Sequence, residues 1–325
     1  MSEEGPARSV LVTGASGLVG RQVVSRLAAQ TGGAPGTIVA LDLRESALRD
    51  QLPGVVYETL DIRNPALPKL FERHGIGCVV HLAAVVTPGP SSSRELEYQI
   101  DVVGTQKVVD ACVATGVGQI VYTSSGAAYG YHADNPVPLH ERDPLRANEA
   151  FAYAWHKRLA EETLTRTRSE HPELVQLVFR VGTILGERVA SPITALFERP
   201  IVVGVRGSDA PFVLIWDEDV AACIVKGIQE RRSGIFNLCG DGAIALPEIA
   251  RRLGKPYVAL PAALLTGALA ATHKLGLSAR GAEQVDFLRY RPVLANDALV
   301  SEFGFTPRFT SEECFEHYRK LRFDR

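Results

Sequence analysis

Tyr153 and Lys157 stand four residues apart in Tyr153-Ala154-Trp155-His156-Lys157. On a helix, that spacing puts a phenol and an ammonium on one face. The ammonium favours the phenolate and lowers the proton affinity of the tyrosine. Such a pair can move a proton at a reacting hydroxyl or carbonyl. Upstream, the β-like run Ile120-Val121-Tyr122-Thr123 ends in Ser124-Ser125, and a hydroxyl there can hold the same oxygen. Two serines compete for that role. Tyr-x-x-x-Lys arises often by chance, so the pair needs context.

The context is Thr13-Gly14-Ala15-Ser16-Gly17-Leu18-Val19-Gly20. It follows the apolar run Val10-Leu11-Val12 and leads into a helical pattern from Leu18. Strand, glycine turn and helix in that order form the first unit of a dinucleotide-binding fold. Gly14 permits the sharp turn, Gly17 lets backbone approach a pyrophosphate, and Gly20 allows close packing of helix on strand. The helix amides then face phosphate charge. Asp42 ends the next strand, Ile38-Val39-Ala40-Leu41, where a carboxylate accepts from ribose hydroxyls and repels a 2′-phosphate. Arg44 is the opposing signal: it could reach a 2′-phosphate if Asp42 turned away.

The elements that position these residues alternate. Strands are expected at 9–13, 37–42, 55–60, 77–82, 119–124 and 174–181. Helices are expected at 18–30, 65–74, 93–115 and 149–170. This implies an α/β fold with a doubly wound parallel sheet. Beyond Gly182 come helix 191–198, strands 201–204 and 211–215, helix 217–230, strand 234–238, and helices 246–253 and 261–275. The expected division is 1–182 for dinucleotide binding, with 211–238 returning to it, and 183–210 plus 239–325 as a small interleaved substrate lobe. Thr31 to Gly36 and Thr87 to Ser93 are expected as loops, the second on the side where such sheets contact substrate.

These motifs, in this order, resemble an extended short-chain dehydrogenase/reductase of the NAD-dependent epimerase/dehydratase kind, from about Ser9 to Ala221. Thr13 to Gly20 resembles the TGxxGxxG loop, and Asp61-Ile62 the Asp-Ile/Val pair beside adenine. His81-Leu82-Ala83-Ala84 resembles HxAA, Asp101 to Thr105 resembles NVxGT, and Ser124 to Gly130 resembles SSxxVYG. The resemblance implies a Rossmann fold with NAD held by Gly14, Ser16, Gly17, Leu18, Val19, Asp42, Asp61, Ile62, Leu82, Ala83, Ala84, Tyr153 and Lys157. It implies catalysis by Ser125, Tyr153 and Lys157, and a homodimer formed through helices 93–115 and 149–170.

Three positions depart from the family. Asp101 replaces an Asn that holds a water beside the lysine. Thr183 replaces the Asn that contacts the sugar diphosphate. Phe212 stands where the family carries a diphosphate-clamping Arg, a role no aromatic ring can fill. Arg199, Arg206 and Arg291 show no recognisable spacing. Thr183 and Phe212 are therefore expected to contact a small, relatively uncharged substrate. The leading expectation is NAD-dependent hydride transfer at a secondary alcohol or ketone. A nucleotide-sugar epimerase or dehydratase with tightly bound NAD is the alternative, and a non-catalytic NAD sensor is a third.

Other features bound the answer. The 325 residues suit one large α/β domain with an appended lobe. A formal charge of -2 and no basic stripe argue against nucleic acid. Five cysteines lack metal-ligand spacing and suit a reducing cytoplasm. His81 lies in an apolar strand and is expected to be structural. Asp217-Glu218-Asp219 is expected to start a helix and bind no metal. The apolar stretch Val258 to Ala271 is too short to span a membrane and is expected to be a buried helix, with a lid over an apolar substrate or a membrane-surface contact as the alternatives.

Overall fold

The computed structural model describes residues 8–30, 36–87, 89, 92–274 and 284–324. The expected loop at Thr31 to Pro35, and Pro88, Pro90 and Ser91 of the second loop, lie outside the described residues. In chain order the first half is β1 (Ser9–Thr13), α1 (Leu18–Ala28), β2 (Ile38–Asp42), β3 (Val55–Thr59), α2 (Leu67–His74), β4 (Ile76–His81), α3 (Arg94–Tyr98), α4 (Gly104–Ala114), β5 (Gln119–Ser125), α5 (Ala152–Glu170) and β6 (Val175–Val181). The second half is β7 (Thr183–Leu185), α6 (Pro192–Glu198), β8 (Val202–Val205), β9 (Leu214–Trp216), α7 (Asp217–Gln229), β10 (Gly234–Leu238), α8 (Leu246–Arg252), β11 (Tyr257–Leu260), α9 (Ala262–Lys274), α10 (Gln284–Arg289), α11 (Asp297–Ser301) and α12 (Ser311–Phe323).

The chain packs as two compact units. The first comprises Met1–Ser124, His156–Arg180 and Asp217–Phe236; the second comprises Ser125–Trp155, Val181–Trp216 and Asn237–Arg325. The sequence division differs here, since it grouped Ser125–Trp155 and 211–216 with the dinucleotide-binding part.

The first unit is built on a seven-stranded sheet in the order β10-β6-β5-β4-β1-β2-β3. The pairs β1–β2, β1–β4, β2–β3 and β4–β5 run parallel. Its strands read as apolar runs because helices cover both faces; Leu11, Val39, Val79, Ile120 and Val178 are all buried in one core. The order reverses between β1 and β4, the switch point where such sheets bind ligands at the carboxyl ends of strands. The glycine loop and Leu82 to Ala84 both leave the sheet there.

The expected helix 93–115 is α3 and α4 joined by a π-helical turn, Gln99–Val103. Inside the widened turn, the Thr105 hydroxyl donates to the Asp101 carbonyl at 2.6 Å. Such turns insert one residue and redirect the side chains beside it.

The second unit holds two short parallel pairs, β7–β9 and β8–β11. Phe197, Phe212, Leu214, Trp216, Phe315 and Tyr318 form its main core. The helix α12 escaped the sequence reading, although Thr310 and Glu313 cap it reciprocally.

The expectation of a buried apolar helix is overturned. α9 forms, but Leu264 is 58% exposed, and Ala263, Gly267 and Ala270 are exposed as well. Alanine and leucine make this segment helical through propensity, which needs no burial.

Candidate active site

The glycine loop is shaped by contacts that leave no room for side chains. Gly14 takes φ +67°, and a Cβ there would come within 2.8 Å of the Ala83 amide nitrogen. A Cβ on Gly20 would meet the Gly14 carbonyl oxygen at 2.3 Å. Gly14 thus brings Leu82 and Ala83 against the loop, and Gly20 lets α1 start directly beneath it. Asp42 closes the cradle, with Oδ2 accepting from the Ser16 amide at 2.9 Å and Oδ1 from the Arg44 amide at 3.1 Å. The exposed Arg44 side chain adds a long ion pair, Nε to Oδ1 at 3.7 Å, while the Ser16 bond keeps the carboxylate turned toward the loop. A cavity of about 520 Å³ opens here, lined by Ala15, Ser16, Ala40, Arg44 and Tyr57 among others. This narrow, amide-rich turn with a carboxylate at the next strand end fits a dinucleotide.

Asp61 and Ile62 follow β3. Arg63 forks onto the Asp61 carboxylate, with Nη2 at 2.6 Å, and that hydrogen bond holds the carboxyl below its usual range. Ile62 is buried under Gly104, where a Cβ would meet its Cδ1 at 2.6 Å. Ile62 therefore acts in the core beneath the site.

His81 is fully buried with both ring nitrogens engaged. Thr13 Oγ1 accepts from the Leu82 and Ala83 amides at 3.2 and 3.3 Å. Its own proton must then go to His81 Nδ1, at 2.7 Å. His81 Nε2 is left to donate to Thr105 Oγ1 at 3.0 Å. Burial, and secondarily the Lys157 charge, push its pKa down to about 3. A neutral imidazole with one permitted tautomer is a strut for the cofactor loop.

Ser125, Tyr153 and Lys157 occupy element ends. Ser125 closes β5, half-buried, and its Oγ accepts from the Ala127 amide at 3.2 Å. Ser124 points the other way and donates to buried Glu161. Tyr153 lies half-buried in the first turn of α5, and Lys157 follows one turn later. Lys157 is 4% exposed; its Nζ donates to the Thr123 carbonyl at 2.7 Å and the Tyr122 hydroxyl at 3.2 Å. Burial pulls its pKa down to about 8, against the opposing charges of Asp101 and Glu161. Glu161 is itself forked by Arg180, whose Nη2 lies 2.8 Å away. Asp101 Oδ1 accepts from the Val85 amide at 2.8 Å, and Oδ2 lies 3.1 Å from His156 Nδ1.

In the second unit, Thr183 and Phe212 share a partner that sequence reading did not place. Arg291 Nη2 donates to Thr183 Oγ1 at 3.2 Å. The guanidinium lies 3.9 Å from the centre of the Phe212 ring and 4.6 Å from that of Phe287. Phe212 is fully buried, so it meets Arg291 and not substrate; its expected substrate contact is corrected to that of a platform. Arg291 Nε and Nη1 are buried and reach no acceptor among the described residues. Burial lowers the guanidinium pKa to about 10. The premise of a lobe without a cation near Thr183 and Phe212 therefore fails. The sequence signal was slight: an arginine before Pro292, close after Phe287 and Tyr290.

Asp217 begins α7 and caps it, accepting from the Glu218 amide at 2.9 Å, while Gln22 binds its other oxygen at 2.6 Å. Among the described residues no three His, Cys, Asp or Glu side chains group as metal ligands. All five cysteines are buried. No helix of the described residues is long and apolar enough to cross a membrane.

Comparison with known proteins adds to this geometry. The model of the NAD dependent epimerase/dehydratase family matches residues 10–239. An uncharacterized protein of Mycobacterium tuberculosis is 25% identical over 320 residues, spanning 96% of this chain and 84% of that one. The UDP-glucose 4-epimerase of Erwinia amylovora is 30% identical over 188 residues, 55% of this chain and 54% of that one. Among solved structures, a short-chain dehydrogenase/reductase superfamily protein of Agrobacterium tumefaciens with bound NAD superposes with TM-score 0.72 at 22% identity, covering 97% of each chain. The Bordetella bronchiseptica enzyme WbmG, in complex with NAD and UDP, gives 0.73 at 18% identity, covering 99% of this chain and 96% of that one.

Proposed function

The chain belongs to the NAD-dependent epimerase/dehydratase family, and from that premise we propose that it acts on a secondary hydroxyl of a nucleoside-diphosphate sugar. One observation carries the reading: a guanidinium in the lobe with two buried nitrogens, Nε and Nη1, that no acceptor among the described residues satisfies. Leaving such donors unmet costs about 1–3 kcal/mol each, and a diphosphate supplies charge-assisted acceptors for them. The rings of Phe212 and Phe287 fix the plane of the guanidinium, as cation–π contacts do. The similarity to a UDP-glucose 4-epimerase supports the same substrate class.

NAD, when bound, supplies the hydride acceptor at the carbon that bears the hydroxyl. Gly14, Ser16, Gly17, Leu18 and Val19 would hold its pyrophosphate, Asp42 its ribose, and Leu82 to Ala84 the backbone beside it. Tyr153 takes the hydroxyl proton. Ser125 holds the oxygen while charge develops there. Lys157 lowers the proton affinity of Tyr153 from one helical turn away. A second reading, NAD-linked oxidation of a little-charged alcohol, draws on Phe212 standing in place of the family's arginine.

Turnover on a panel of UDP-sugars and hydrophobic secondary alcohols separates the two. The proposal expects a UDP-sugar to be converted, with product read by NMR and little net NADH. Oxidation of an apolar alcohol with stoichiometric NADH, and inert UDP-sugars, would install the second reading.

A further inference from the structure

Arg291 lies two residues beyond the end of α10, so whatever fixes that end also aims the guanidinium. α10 is six residues long. A helix so short does not hold itself in water, and packing or caps must keep it. Along its side, the Phe287 ring meets Tyr131 with centroids 5.3 Å apart and Phe151 at 6.4 Å. At its C-terminus the last carbonyls have no partner within the helix. Ser208, in the loop that follows β8, reaches them. Its hydroxyl lies 2.9 Å from the Arg289 carbonyl oxygen and 3.4 Å from that of Leu288. A hydroxyl has one proton to give, and the shorter bond takes it.

The same loop carries Phe212, and it is locked around Ser208. The Ser208 amide donates to the Val205 carbonyl at 3.1 Å, and Ser208 Oγ accepts from the Ala210 amide at 3.3 Å. Ala210 is fully buried at φ +42°, a left-handed conformation that strains a residue with a Cβ. Such strain persists where the surroundings over-determine the backbone. Here the Asp209 carbonyl accepts from the Leu246 amide at 2.8 Å, and Phe212 exchanges two backbone bonds with Ile244 at 2.8 and 2.9 Å.

We propose that Ser208 is the positioning residue for Arg291. One hydroxyl joins the strained loop that carries Phe212 to the helix end that carries Arg291. It thereby sets the 3.9 Å stack from which Nε and Nη1 are left to a ligand. The positioning stands on these distances; its use in holding a diphosphate rests on the function proposed above.

Ser208→Ala removes the donor and leaves the backbone bonds of the loop in place. The readout independent of any ligand is the Arg291 Nε–H resonance, followed by 15N–1H NMR and assigned by its loss in Arg291→Lys. The Arg180 Nε–H resonance, from the first unit, is the control. Ring currents of Phe212 and Phe287 displace the Arg291 signal while the stack holds. Ser208→Ala should therefore move it toward the position of exposed arginines and leave that of Arg180 in place. UDP affinity by calorimetry should fall by about 2- to 10-fold, as loss of one hydrogen bond in the support of a site does. KM for a converted UDP-sugar should rise in step, with kcat and NAD affinity nearly unchanged. Ser208→Thr keeps the donor and should return resonance and affinity toward wild type. Should Ser208→Ala fail to fold, Ser208→Cys keeps the size, offers only a weak donor and is read in the same way. An unmoved Arg291 resonance, an equal shift of Arg180, or unchanged UDP affinity where the wild type binds UDP would overturn the proposal. Failure of the wild type to bind UDP, with the Arg291 shift present, would instead remove the substrate reading and leave the positioning role standing.

Discussion

In the first unit Arg180 forks onto Glu161, with Nη2 at 2.8 Å and Nε at 3.0 Å. In the second unit Arg291 gives one hydrogen bond, to the neutral Thr183, and stacks on two phenyl rings. Arg180 is buried and Arg291 is half-buried with Nε and Nη1 covered, and of the two, among the described residues, Arg180 alone has a carboxylate hydrogen-bonded to it. The difference teaches what each unit is arranged to do. In the sheet unit the buried Arg180 guanidinium is neutralised by a carboxylate of the chain itself. On the proposed reading, the lobe leaves its Arg291 guanidinium to an anionic ligand, which is how a site selects an anion over neutral ligands.

The largest expected effect concerns chemistry. Tyr153→Phe removes the proton carrier and should slow the hydride step by roughly 10² to 10⁴-fold, with NAD affinity nearly unchanged by calorimetry. Near wild-type turnover would leave the proton step without its residue.

Next comes a direct contrast of the two arginines by the same substitution. Arg180→Met strands the Glu161 carboxylate in the core and should cost about 3–5 kcal/mol in denaturant unfolding. Arg291→Met replaces a cation that lacks protein acceptors, so unfolding stability should hold or rise. Equal losses would erase the distinction between the units. Arg291→Met should instead weaken sugar-nucleotide binding by about 10- to 100-fold, as loss of charge-assisted hydrogen bonds does.

A smaller effect follows from Lys157. With its pKa pulled down to about 8, the ammonium discharges above that pH and kcat/KM should fall. Stability runs the other way. The unfolded lysine keeps its proton up to about 10.4, so between those two values the unfolded chain binds more protons and the Lys157 contribution to stability rises with pH. The melting temperature of wild type relative to Lys157→Met should therefore rise from pH 8 to 10. A difference that is flat across this window would mean that the amine is not desolvated. The smallest effect is cofactor choice. NAD should bind more tightly than NADP, and Asp42→Asn should reduce that preference several-fold, since it removes the charge that repels a 2′-phosphate.

Much of the first unit could be read from local pattern. Apolar runs, the glycine turn and helical spacing are short-range signals, and β1, α1, β2 and β10 lie within a residue or two of their expected ends. The π-turn was invisible because Gln99 to Val103 carries no residue pattern that departs from ordinary helical spacing. Asp101 was marked as a departure, but its partner His156 was passed over within the motif itself. Arg291 was named and not placed. Thr183 and Phe212 lie far from it in sequence, and no spacing rule links an arginine to a ring across such a separation. The same lack of long-range information led to the expectation of burial for α9, whose composition is apolar but whose side chains are mostly too small to demand cover.

The central claim is that Arg291 awaits an anion. Isothermal titration of UDP into the NAD-loaded protein, wild type against Arg291→Met, tests it most directly. The account predicts measurable binding to the wild type, with a rise in melting temperature by mass action, and loss of both in Arg291→Met while NAD binding persists. Equal UDP affinity in the two proteins, or no UDP binding to the wild type at millimolar concentration, would contradict it.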